Sequence, residues 1–448
     1  MSELKTIAQH AGTVLVGQLA VMAFGVADTI VAGRYSDQAL AALSVGSAVY
    51  ATVFVAVLGM LQALLPTWAH LHGGDRHEDV GRSVRQALYL AGFALIVGGW
   101  ALLSPEAILR WTQVPAALQN VVNGYLSVLT LALPAALLFR VFSTLNQSLG
   151  RPLLVTWLQA MSLVLKVPLT IWFVFGGLGL APMGAVGCAW ATVVVNWLLL
   201  GSALWLLRTQ PLYEPYAIWR PMERPDWQAI RHFARLGIPG GLSVLVEVTS
   251  FTLMALFIAR QGVLATAAHQ VAANVTAVLY MTPLSIAIAT SSRVSYWLGA
   301  RDAARATHAI RTGFKLGLAL ALTSSAVVAL GRWQIASIYS ANPQVVAVAA
   351  GLLPWVAAYH IGDATQALCV FVLRCYHIAV APLFAYGVLL WGVGLSGGYA
   401  LAYHSAAPGL FQRTPAAFWA ASTIALALLA AVLPLILRHS VRRYRATR

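Results

Sequence analysis

Asp28, Glu247, Asp363 and Lys166 are the four charged residues that fall inside long apolar stretches of this 448-residue chain. The other ten acids lie in polar connections or at the ends of stretches. A charge at mid-bilayer costs about 2.5–3.5 kcal/mol even on the lenient insertion scale, so an embedded acid is a functional candidate by default. Helical spacing gives two of the acids polar company. Ser243, Glu247, Ser250 and Met254 share one helix face, and Tyr359, Asp363 and Gln366 share another. A carboxyl group in such a stripe can bind and release a proton. It can also hold Na⁺ together with hydroxyl, amide and carbonyl oxygens, or neutralise an organic cation. One negative site cannot serve a coupling ion and an organic cation equally at once, which is the condition for exchange. Lys166 shares a face with Gln159, Ser162 and Thr170, so it points inward and can pair with Asp28, the acid embedded in the same half. The alternative is a lysine whose stem snorkels to an interface.

The elements that must position these residues are membrane helices. Apolar residues make up 60% of the chain and charged residues 9%, against roughly 25% charged in soluble domains. Mean hydropathy is +0.77. Disorder is excluded by the hydrophobicity, and a disulfide scaffold by three cysteines without paired spacing. The net charge of +15 does not make a nucleic-acid binder, because the basic residues flank apolar stretches and form no basic domain. Twelve charge-poor stretches are long enough to cross a bilayer, from residues near 10–33 to residues near 415–437. They are too long and continuous for barrel strands of about 10 residues, and the first is too long for a cleavable signal peptide. The fold class is therefore all-α and polytopic, with twelve transmembrane helices.

Twelve spans put both termini on one side. Connections on that side carry 22 of the 28 Lys and Arg residues, Arg85, Arg140, Arg293, Arg374 and Arg448 among them. The opposite connections carry five, including Arg110. The positive-inside rule then predicts cytoplasmic termini in a bacterial inner membrane. The longest connection divides the chain into an N-lobe at 1–210, a cytoplasmic linker at 211–234 and a C-lobe at 235–448. A shift of 226 residues superposes Ala41-Ala42 on Ala267-Ala268, Gly73 on Gly299 and Arg85 on Arg311. Six helices per half make the repeats parallel, two pseudo-symmetric lobes of a transporter architecture.

Other signals are weaker. His70, His72 and His77 cluster in a connection, and the three cysteines read as packing residues. Prolines at 134, 168, 283, 354, 382 and 434 lie within spans, where they can mark kinks or gates. No Walker A motif, nucleophile elbow, HExxH or dinucleotide fingerprint occurs, which leaves an enzyme, a metal centre or an organic cofactor without support.

The segment Ala27-Asp28-Thr29-Ile30-Val31-Ala32-Gly33-Arg34 with Leu40-Ala41-Ala42 resembles the first-helix motif of the multidrug and toxic compound extrusion (MATE) family, in its NorM-like branch. Gly237-Ile238-Pro239, Glu247, Ala267 through Val271, Asn274, Met281-Thr282-Pro283 and Leu373-Arg374-Cys375-Tyr376 extend the resemblance over essentially the whole chain. It implies two six-helix lobes in a V that alternate between outward and inward openings. It also implies export of cationic, amphipathic drugs in exchange for Na⁺ or H⁺, by a protein read here as a monomer in the bilayer. Glu247 and Asp363 would form the C-lobe cation site, with Asn274 and Tyr359 in the cavity beside them. Asp28 would be the N-lobe acid for proton or drug. Two departures stand out. Lys166 and Thr170 occupy positions where relatives usually carry Asn, and Gly12-Thr13 replaces an early proline. A lysine beside Asp28 would hold it ionised, which shifts the expected coupling to the C-lobe acids, Na⁺ ahead of H⁺. The alternatives are a lipid-linked oligosaccharide flippase of the wider superfamily and, from another class, an integral-membrane transferase.

Overall fold

The computed structural model of the chain describes residues 2–106, 116–177, 179–404 and 412–446. Arg110 and Arg448, counted above in the charge partition, lie outside them. Among the described residues, twelve helices are long and apolar enough to span a membrane. The first six are α1 Glu3–Tyr35, α2 Asp37–Gly73, α3 His77–Leu103, α4 Leu118–Ser148, α5 Leu153–Phe175 and α6 Ala185–Thr209. The second six are α7 Trp227–Ala259, α8 Val263–Gly299, α9 Ala303–Leu330, α10 Pro343–Cys375, α11 Val380–Tyr403 and α12 Pro415–Ala446. Large apolar side chains such as Ile96, Trp100, Val164 and Leu330 lie more than two-thirds exposed, as lipid-facing residues must.

The helices outrun the apolar stretches. At 1.5 Å per residue, the 37 residues of α2 or α8 reach about 55 Å, well beyond a hydrocarbon core of about 30 Å. Arg85, Arg140, Arg293 and Arg374 therefore belong to helices, not to the connections in which the charge partition counted them. Each sits next to an expected span end because charge was the delimiter. A helix ends where its backbone hydrogen bonding ends.

Those ends repeat with the 226-residue shift. After α2, Arg76 N donates to Leu71 O and Asp75 N to His72 O; after α8, Asp302 N donates to Trp297 O and Arg301 N to Leu298 O. This is the Schellman closure, and it requires a left-handed residue past the last turn. Asp75 and Arg301 supply it at φ 56° and 58°, and they are 226 residues apart. The same pair of bonds ends α4 around Gly150 and α10 around His377.

The chain forms two compact units, one of residues 13–241 and one of residues 1–12 with 242–448. The first helix of each repeat, α1 or α7, is thus shared between units. In α7 the change follows Pro239-Gly240-Gly241, a stretch that weakens helical continuity. In α1 it falls at Gly12-Thr13. The tip of α1 is anchored inside its unit by Glu3, whose carboxylate accepts from Arg293 Nε at 2.8 Å, Arg293 Nη2 at 3.0 Å and Trp297 Nε1 at 3.3 Å.

The connection between α6 and α7 is pinned rather than loose. Arg85 donates to Ala217 O and to Glu223, each at 2.7 Å. Gln86 donates to Arg224 O at 3.0 Å and accepts from Asp226 N at 2.8 Å. Gly81 lets this segment approach, since a Cβ there would lie 1.7 Å from the Tyr216 carbonyl oxygen. The Arg85 hydrogen bond holds the Glu223 carboxyl below the usual glutamate range. His72 and His77 pack against Tyr216, whose hydroxyl lies 3.1 Å from His72 Nδ1.

In the second unit α11 changes its winding. Val380–Tyr386 is α-helical, Gly387–Ser396 is a π-helix, and Gly397–Tyr403 returns to α. Widened turns of this kind are uncommon and concentrate at functional sites. Here Trp391 reaches from the π segment to donate to Val246 O of α7 at 3.1 Å, one residue from Glu247.

Candidate ion and substrate sites

Each unit buries its own set of embedded charges. In the unit of residues 13–241, Lys166 of α5 is fully enclosed, and its Nζ lies 2.9 Å from Asp28 Oδ1 of α1. The ammonium also donates to Thr192 Oγ1 at 2.7 Å and Cys188 O at 3.1 Å, both on α6. Thr170, one turn beyond Lys166, donates to the same Asp28 oxygen at 3.1 Å. The expected pairing is present, and the snorkelling alternative is excluded by the enclosure. Ser162, Lys166 and Thr170 are all buried, as their shared face requires. A buried pair of this kind needs its remaining protons satisfied to offset desolvation. The α6 hydroxyl and carbonyl provide that.

In the other unit, Glu247 of α7 and Asp363 of α10 meet at one amide. Gln366 Nε2 donates to Asp363 Oδ1 at 2.9 Å and to Glu247 Oε1 at 3.4 Å. Its own Oε1 is enclosed with no hydrogen-bond partner among the described residues. Two carboxylates and an amide oxygen form a hard-oxygen set of the type that binds Na⁺ or shares a proton. No basic side chain lies within ion-pair distance of either acid among the described residues. Beside them a small cavity is lined by Glu247, Ser250, Met254, Tyr359 and Ser422. Tyr359 is buried, and its ring meets Phe251 and Trp419 edge-on, each at 5.8 Å. The two polar stripes read from helical spacing thus face each other. Asn274 of α8 does not join the acids. It is half-buried, and its side-chain oxygen accepts from Gln270 at 3.4 Å, one turn away on the same helix.

Spacing along single helices could not reveal three further neighbours. Tyr280 of α8, Tyr386 just before the π segment of α11 and Arg374 all lie within electrostatic range of Glu247. Arg374 is 3% exposed, with its guanidinium 5.0 Å from the Phe371 ring. The run Leu373-Arg374-Cys375 at a span end was the available signal, and it read as a loop charge.

The MatE family model matches residues 14–172 and 239–400. The chain belongs to the MatE family. It is 39% identical over 439 residues to a relative from Aromatoleum aromaticum named "Probable multidrug resistance protein NorM", covering 97% of this chain and 94% of that one. A relative of the same name from Neisseria meningitidis serogroup B is 31% identical, covering 100% and 97%. Among solved structures, the eukaryotic MATE transporter AtDTX14 superposes with a TM-score of 0.87 at 19% identity, covering 99% and 98%. The bent form of the Vibrio cholerae MATE transporter VcmN gives 0.84 at 16% identity, with the same coverage. At these identities the likeness concerns the fold.

Proposed function

We propose that this protein is a secondary active multidrug efflux antiporter that exports amphipathic cations in exchange for Na⁺ or H⁺ by alternating access. The observation that carries the coupling assignment is the Glu247–Gln366–Asp363 arrangement. Two acids on separate helices share one amide and have no ion-pair partner among the described residues, so their charge is available to a transported cation. Asp28 is engaged by Lys166, so the coupling ion uses the Glu247–Asp363 pair, with Na⁺ ahead of H⁺. Tyr359 lines the drug cavity there, and Asn274 acts from its edge. The lobes 1–210 and 235–448, joined by 211–234, move in alternation as a monomer in a bacterial inner membrane with cytoplasmic termini. No enzymatic step and no cofactor is part of this reading. The relatives named for multidrug resistance favour it over the flippase and transferase alternatives.

The test is ethidium efflux from cells lacking their own pumps and from proteoliposomes, with Na⁺ and proton gradients imposed separately. Glu247→Gln and Asp363→Asn should abolish gradient-driven efflux while the protein remains in the membrane. Normal efflux from both variants would sink the coupling assignment. Transport driven by a pH gradient alone, without response to Na⁺, would replace Na⁺ by H⁺.

A further inference from the structure

Between α1 and α5, within the unit of residues 13–241, lies a groove of about 620 Å³ that the sites above do not use. Ala23, Ala27, Ile30 and Arg34 border it from α1, three or four residues apart and so on one helical face. Val167 and Ile171 border it from α5, one turn apart. The 2.9 Å contact of Asp28 with Lys166 joins the same two helices, and the sequence neighbours of that pair, Ala27 and Val167, line the groove. Its length is that of one leaflet. Ala23 to Arg34 spans about 16 Å of helix, against about 15 Å for half of a hydrocarbon core. Its outer end lies where both helices end, and there the rings of Tyr35 and Phe175 meet edge-on at 5.7 Å, as suits an interface. Ile30, Ile171 and Phe175 are each about half exposed, so the groove is open along its side.

Arg34 is the one charged residue on this apolar lining. It is exposed, and its guanidinium has no hydrogen-bond or ion-pair partner among the described residues. Asp37, three residues on at the start of α2, is not within ion-pair distance of it.

We propose that this groove is a lipid site, which seats one acyl chain of an anionic phospholipid and pairs its phosphate with Arg34. The guanidinium fork matches a phosphate, and it stands at the end of the groove where a headgroup must lie. No acid lines the groove to receive the ammonium of a zwitterionic headgroup, so an anionic lipid such as phosphatidylglycerol is preferred. A chain seated there also covers the seam between α1 and α5 that the Asp28–Lys166 pair closes at one level. The assignment does not rest on the efflux reading, since it needs neither a drug nor an ion gradient.

The experiment is photolabelling of the full-length protein in phosphatidylcholine nanodiscs by phosphatidylglycerol that carries a diazirine at the end of one acyl chain. Peptide mass spectrometry should place the label within residues 23–31 and 163–171. A tenfold excess of unlabelled phosphatidylglycerol should displace it, and further phosphatidylcholine should not. Labelling there should fall at least fivefold in Arg34→Gln and persist in Arg34→Lys. Ala23→Trp fills the inner end of the groove and should also lower it at least fivefold, although Arg34 is intact. Should that variant fail to elute as a single species, Ile171→Trp narrows the groove from α5 and reads the same quantity. Equal labelling of these segments in wild type and Arg34→Gln, or equal displacement by phosphatidylcholine, would reduce the occupant to ordinary boundary lipid and overturn the proposal. Full labelling in the folded tryptophan variants would overturn it too, because the chain would then lie outside the groove.

Discussion

Replacing Lys166 by methionine leaves the Asp28 carboxylate facing Thr170 and the α6 backbone without its counter-charge. The 2.9 Å separation corresponds to a Coulomb attraction of about 6 kcal/mol at an effective dielectric of about 20. Much of that offsets the desolvation of two embedded charges, so the pair itself adds little net stability. Removing one partner is different, because the desolvation of the survivor is then uncompensated, at about 3–5 kcal/mol. Lys166→Met and Asp28→Asn alone should each destabilise by that amount. The double variant should lie within about 1 kcal/mol of wild type, since methionine fills the lysine stem's volume and asparagine accepts from Thr170 as the acid does. Reversible unfolding in mixed micelles, followed by tryptophan fluorescence, gives the four free energies and hence the coupling energy. Additive single-variant effects, with coupling below about 0.5 kcal/mol, would refute the reasoning that these charges exist in the fold as a unit.

Three further outcomes follow from named contacts. Gln366→Leu removes the amide shared by both acids, and charge-assisted hydrogen bonds of about 1.5–3 kcal/mol imply at least a tenfold weaker dependence of efflux on the coupling ion. An unchanged ion dependence would separate Gln366 from the coupling site. Gly81→Ala sets a Cβ against the Tyr216 carbonyl and must displace the α6–α7 connection, at about 1–3 kcal/mol; protease cleavage within 211–226 should accelerate, and an unaltered cleavage rate would contradict the contact. Pairing with Arg85 lowers the Glu223 carboxyl from a free value of about 4.3, so its contribution is complete above that value and fades as pH falls through the folded one. Glu223 is partly solvated, which keeps the effect small. Hydrogen exchange in 217–226, corrected for its intrinsic pH dependence, should rise from pH 5 to pH 3 in wild type and be flat in Glu223→Gln.

Much of the architecture was legible before any tertiary contact was known, because its causes are local. A helix crossing a bilayer must be apolar for about 20 residues, so the twelve spans announce themselves by composition. A charge within such a span stands out, and the 3.6-residue period tells which neighbours share its face. Asp28, Lys166, Glu247 and Asp363 were found that way, as were Thr170, Gln366 and the pairing of Lys166 with the acid of its own half. The repeat was visible in Gly73 and Gly299, which end helices of equal length. Period and composition act along one helix, however, and adjacency between helices is set by how their surfaces pack. Only the tertiary structure could set Arg374, Tyr280 and Tyr386 around Glu247, or turn Asn274 toward Gln270 instead. It also placed Arg140 inside a helix, with no ion-pair partner among the described residues. A base at the edge of an apolar run looks the same in sequence whether its helix stops there or continues for two more turns. The backbone hydrogen bonds beyond it make that difference.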